Sequence, residues 1–135
     1  MTTRQPQLLA KFNGNPPVGL STLHAFQQEA GFHLPQDYVE FLQRTNGGEG
    51  LIGQNAYVIL WPVEDLLEMN RAYQVNEYAP GLFIFGSDGG GEAFAFDRRS
   101  EKMPVVSVPF VGMDPSLIQP LGSGFQLFLE ELGRS

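Results

Sequence analysis

Cysteine is absent from the 135 residues, so the chain can build no disulfide, thiolate nucleophile or Cys-ligated zinc centre. Histidine is scarce, with two copies, and 8 Lys plus Arg stand against 15 Asp plus Glu, a formal charge of −7. That balance argues against a nucleic-acid binder, which needs clustered Lys and Arg to displace counterions. No apolar run approaches the ~20 residues of a membrane-spanning helix, and the opening MTTRQPQLLAKFNGNPP lacks the apolar core of a signal peptide. The expectation is a chain without membrane contact, suited by its lack of cysteine to a reducing cytoplasm. Charged residues reach only 17% while aromatics reach 12%, a composition that argues against disorder.

What the chain does have is 16 glycines and 10 prolines, clustered so that they punctuate it into elements. Residues 1–19, with Pro6, Gly14, Pro16 and Pro17, read as an extended lead-in, and 20–135 as a single domain. Ser21 has the chemistry of an N-cap, ahead of an apolar stripe of Leu20, Leu23, Phe26 and Ala30 that Gly31 ends. Leu34-Pro35 starts a second helix with proline at the first helical position and Asp37 in the first turn. Tyr38, Phe41 and Leu42 face inward on it, Asn46-Gly47-Gly48 closes it, and the two helices form a hairpin. The period then changes to that of strands, at Leu51-Ile52 and over residues 57–61. Pro62 opens a third helix, with Val63, Leu66, Leu67, Asn70 and Tyr73 on one broad face. Residues 82–85 are apolar on both faces and predict a central strand covered on both sides. A loop holding Gly86, Gly89, Gly90 and Gly91 leads to a return strand in which Phe94 and Phe96 alternate with alanines. A strand over 105–108 and a helix over 125–132 complete the pattern. Helices at both ends with strands between predict an α+β fold. A mainly antiparallel twisted sheet would pack with an N-terminal helical hairpin, a middle helix and a C-terminal helix.

Catalytic chemistry finds little support. GEGLIG (48–53) matches G-x-G-x-x-G, but it follows a helix and opens a strand, the reverse of a dinucleotide site. The loop over 86–91 lacks the Lys-Ser/Thr of a P-loop, and Asp88 and Glu92 would repel phosphate, so it reads as a wide hairpin loop. His24 and His33 have no Ser, Cys or second His at triad or metal spacing. No catalytic residue, metal site or cofactor is assigned, and a carboxylate-dependent hydrolase stays open only because acids are abundant. Binding fits better. Glu64, Asp65 and Glu68 share one short helical segment, either complementing its dipole or forming an acidic ledge for a basic partner. Asp88 and Glu92 could meet the basic side chains of a partner whose backbone approaches the bare glycines. Trp61, before Pro62, is either core or a contact anchor. Asn70, on the apolar helix face, reads as a buried amide that satisfies backbone groups.

LPQDYVEFLQRTNGG (34–48) resembles the signature helix and Asn-Gly-Gly exit of the SUKH superfamily. Trp61 ahead of a helix with Leu66, Asn70 and Tyr73, then LFIFGSDGGGEAFAFD (82–97) and GFQLFLEEL (124–132), are similar in the same order. That superfamily includes fungal cell-wall-synthesis regulators and many bacterial immunity proteins. The resemblance implies an α+β fold, no catalysis, and a protein that binds and neutralises a cognate toxin, often a nuclease. A regulatory interaction module is the alternative it implies. The residues that carry it over are Pro35, Tyr38, Phe41, Leu42, Asn46, Gly47, Gly48, Trp61, Asn70, Gly86, Asp88, Gly91, Glu92 and Asp97. They mark the scaffold, with the lead-in outside the pattern. The expected partner is a basic protein.

Overall fold

The computed structural model describes residues 8–134, and its strands join in one seven-stranded sheet in chain order. They are β1 (Phe12–Gly14), β2 (Gly48–Ile52), β3 (Ala56–Leu60), β4 (Leu82–Ser87), β5 (Glu92–Asp97), β6 (Val105–Pro109) and β7 (Gln119–Gly122). Every neighbouring pair is antiparallel. The helices are α1 (Leu20–Ala30), α2 (Gln36–Arg44), α3 (Val63–Ala72), α4 (Val75–Tyr78) and α5 (Phe125–Gly133). The fold is α+β, as the pattern of elements predicts. No helix among the described residues is long and apolar enough to cross a membrane.

Side-chain parity decides which face of the sheet receives which helices. In β4 and β5, Phe83, Phe85, Phe94 and Phe96 join a core cluster with Leu23 and Phe26 of α1, Tyr38 and Phe41 of α2, and Phe125 and Phe128 of α5. Leu82, Ile84, Ala93 and Ala95 join a second cluster with Val75 of α4, the following Ala79, Val106, Val108 and Met113. Every residue of β4 is buried, as a strand apolar on both faces should be. The first cluster has an aromatic centre, with ring centroids 4.5 Å apart for Phe85–Phe96, 4.9 Å for Tyr38–Phe125 and 5.0 Å for Phe41–Phe125.

Tyr38 stands among these rings with its hydroxyl buried and without a hydrogen-bond partner among the described residues. Burial pushes its ionisation well above the ordinary phenol range, so the group stays neutral. Removing an unpaired buried hydroxyl relieves a desolvation cost. Tyr38→Phe is therefore expected to leave stability unchanged or raise it by up to ~1 kcal/mol in urea unfolding. A loss larger than ~1 kcal/mol would show that the hydroxyl is bonded in solution.

Several local expectations are corrected. Gly19, not Ser21, occupies the N-cap of α1, without a side-chain cap bond, and Leu20 is 65% exposed and outside the apolar stripe. Val18 N donates to Leu42 O at 3.2 Å and Leu23 N to Gly19 O at 3.2 Å, so tertiary anchoring of the preceding residue sets where the helix begins. Pro35 is the N-cap of α2, one position ahead of where it was expected, and Thr45 closes that helix before Asn46. Gly48 lies in β2 and Gly86 in β4, both paired in the sheet and not part of loops. At Gly86 the backbone of Ile59 and Leu60 comes so close that a Cβ would have no space. Tyr73 is 39% exposed and caps the C-terminus of α3. Within the lead-in, β1 pairs with β2 through Phe12↔Gly50 to Gly14↔Gly48.

Candidate functional site

The site begins with an end-capping problem. Pro62, the N-cap residue of α3, offers no side-chain acceptor. Asn46 supplies it from a distance: its Oδ1 accepts from Val63 N at 2.9 Å, while its Nδ2 donates to Glu64 Oε1 at 2.7 Å. Asn46 is buried, and its own N–H donates to Pro16 O at 3.2 Å. Gly47 follows at φ +77°, where a Cβ would lie 2.9 Å from the Trp61 carbonyl carbon. The Asn-Gly pair thus locks the exit of α2 against the entry of α3 and orients the carboxylate of Glu64.

Glu64 and Glu68 then line a groove of about 320 Å³ between α1 and α3. Glu29 of α1 joins them, Phe26, Val63 and Leu67 provide apolar surface, and Arg71 also lines it. Asp65 is exposed on the same helix without lining the groove. Among the described residues, Glu29, Asp65 and Glu68 make no ion pair. Glu29 is the member that sequence reasoning missed, because it lies on another helix and only the packing of α1 against α3 reveals it.

Asp88 and Glu92 are elsewhere. They line a separate groove of about 390 Å³ with Tyr57, Phe94 and Leu132, sharing no residue with the first. Asp88 Oδ1 accepts from Gly90 N at 2.7 Å and Glu92 N at 3.1 Å, and Ser87 Oγ accepts from Gly89 N at 3.0 Å. Oδ1 of Asp88 thereby holds the shape of its own hairpin. Gly91 sits at φ +120° with open space around it. The two acidic groups therefore present two surfaces.

Trp61 is half-buried, nearly parallel to Tyr73 at 6.5 Å and tilted against Phe110 at 6.4 Å. It lines a third groove of about 310 Å³ with Asn13, Glu49 and Ile59, apart from both acidic sets. Asp97 accepts from the Arg99 guanidinium at 2.8 Å and 2.9 Å in the β5–β6 turn. That hydrogen bonding holds its carboxyl below the usual carboxylate range. His24 and His33 are exposed and line none of these three grooves, so a hydrolase built on either histidine lacks its expected convergence with carboxylates here. Among the described residues, no group of three or more His, Asp or Glu is arranged to hold a metal ion.

The SMI1/KNR4 family (SUKH-1) matches the chain over residues 17–131. The chain belongs to that family. No curated protein matches it. The SUKH-1 match spans α1 through most of α5 and leaves β1 outside. Membership gives a family-level role of immunity or regulator type, in a family whose members are generally non-catalytic. In this SUKH-1 chain Asn46, Gly47 and Asn70 are scaffold residues: each is engaged with backbone that fixes α3.

Proposed function

We propose that this SUKH-1 domain is a bacterial immunity protein, a non-catalytic binder that covers and blocks a basic cognate toxin of the nuclease class. One observation carries the reading: carboxylates from two helices, Glu29, Glu64 and Glu68, outnumber Arg71 around a groove with apolar surface, and Glu29 and Glu68 make no ion pair among the described residues. A nuclease cleft is cationic because it receives phosphates, and carboxylates can occupy that field while the apolar surface excludes water. The toxin would act on nucleic acid in the cytoplasm, so its neutraliser would work there too.

The test is co-expression with a toxin encoded by the neighbouring reading frame, followed by binding kinetics. Glu29→Lys/Asp65→Lys/Glu68→Lys is expected to slow association at least ~10-fold at low salt, with the gap to wild type closing as salt is raised. Glu64 is left out because its reversal would also break the bond to Asn46. Unchanged kinetics in this triple variant and in Asp88→Lys/Glu92→Lys would remove the acidic surfaces from the mechanism. Failure both to bind and to protect would remove the immunity reading. The regulator-type members after which the family is named support a second reading, a regulatory interaction module. Capture of a housekeeping protein from native lysate, without a toxin, would favour it.

A further inference from the structure

A larger cleft, about 610 Å³, opens where the end of α1, the α3–α4 junction and the start of β4 meet. Its charge is opposite to that of the acidic groove. Arg71 of α3 and Arg98 of the β5–β6 turn both line it, and neither makes an ion pair among the described residues. With 8 basic residues in a chain of charge −7, two guanidinium groups outside any ion pair at one concavity run against the charge pattern of the chain, and Arg71 also borders the acidic groove. Neighbouring Arg99 shows the contrast, since it is paired with Asp97 through two hydrogen bonds. The Arg98 guanidinium lies 3.9 Å over the ring of Phe32, which is itself held edge-on to Phe83 at 5.1 Å. That contact favours one position of the guanidinium before any ligand arrives.

The remaining walls narrow the ligand chemistry. Val75, Leu82 and Phe83 give an apolar floor, and the volume lies within the range of small-molecule sites. Gln74, at the rim, adopts φ 54° and ψ 45°, a left-handed conformation rare for a residue with a side chain. Glu77 also lines the cleft, and its Oε1 accepts from Gln74 Nε2 at 3.5 Å. A carboxylate among the lining residues disfavours a nucleic-acid backbone or polyphosphate relative to a ligand with a single anionic group. We infer that this cleft binds a small organic anion, one carboxylate or phosphate group on a flat apolar body. Arg71 and Arg98 receive the anionic group, and the body lies on the floor of Val75, Leu82 and Phe83. The cleft shares Leu67 and Arg71 with the acidic groove but not Arg98, so Arg98→Gln separates ligand binding here from toxin neutralisation.

The test titrates the full chain with phenyl phosphate, benzoate, inorganic phosphate and benzyl alcohol, following backbone amide shifts by NMR. Phenyl phosphate or benzoate should give saturable shifts at Phe32, Arg71, Val75 and Arg98. Inorganic phosphate and benzyl alcohol should each bind at least ~10-fold more weakly, because each offers half of the recognition. Arg71→Gln and Arg98→Gln should each weaken binding ~10-fold, while Arg98→Lys, which keeps the charge and loses the planar fork, falls between. Both arginines are exposed, so the thermal midpoints of these variants should stay within ~2 °C of wild type. Absence of saturable shifts overturns the inference. Equal binding of inorganic and phenyl phosphate overturns it as well, as do arginine variants that bind like wild type.

Discussion

Asn70→Leu is expected to lower the free energy of unfolding by about 2–4 kcal/mol, although the branching of the side chain is kept and leucine is the better helix former. The reason lies in how the sheet changes partner beside β4. β3 pairs with β4 only at Ile59↔Ser87 and Leu60↔Gly86. Beyond that point Trp61 N donates to Phe85 O at 3.1 Å, and the chain turns into α3. Ile84 is left with an N–H and a carbonyl that no strand reaches on this side, in a residue with 0% exposure. Asn70 meets both, accepting from Ile84 N at 2.8 Å and donating to Ile84 O at 2.9 Å, with a further bond to Leu66 O at 2.8 Å. A helix side chain thus replaces one residue of a strand. Leucine would strand two buried backbone groups at roughly 1–3 kcal/mol each, partly offset by its own burial. Urea unfolding measures the loss. Asn70→Asp keeps the acceptor for Ile84 N but sets a carboxylate against Ile84 O, so it should also destabilise. A loss below ~1 kcal/mol for Asn70→Leu would show that water satisfies Ile84 instead.

Asn70 also shows how far the sequence could be read. A lone amide on an apolar helix face signals a satisfied buried group, but nothing local indicates that its partner is the backbone of a residue fourteen positions on. The alternation of phenylalanine and alanine in β5 was legible as two faces because the strand period is short and the residues differ greatly in size. β1, by contrast, has three residues, two of them polar or glycine, and its pairing depends on where β2 lies. β7 contains Pro120 and only one large apolar residue, which hides an edge strand from any pattern. α4 is a single turn and carries no period at all. At the candidate site, the acidic character of α3 could be read directly. The contribution of Glu29 could not, nor could the use of Asp88 and Glu64 in local hydrogen bonds. Those depend on packing between segments far apart in the chain.

Phe85→Ala is expected to cost more than any other substitution considered, about 3–5 kcal/mol. Phe85 has 0% exposure and lies where four elements meet. Its ring stacks on Phe96 of β5 at 4.5 Å and meets Tyr38 of α2 at 5.6 Å, Phe125 at 5.7 Å and Phe128 of α5 at 5.7 Å. The surrounding rings are held by one another, so the site can collapse little around the missing side chain and a cavity remains. Ile84→Val, one residue away on the other face, should cost only about 0.5–1.5 kcal/mol, because one methylene is removed. In a domain of this size the Phe85→Ala loss corresponds to a fall in thermal midpoint of about 10–20 °C. Phe85 does not line the groove of Glu29, Glu64 and Glu68, so the folded fraction should keep the wild-type association rate with a basic partner. A partner present at ~100 times its dissociation constant would restore ~2.7 kcal/mol by mass action. If Phe85→Ala slows association of the folded protein, the aromatic core shapes the binding surface directly, and the separation between scaffold and contact residues fails. If the midpoint falls by less than ~5 °C, the rings close over the vacancy and the core is softer than its geometry indicates.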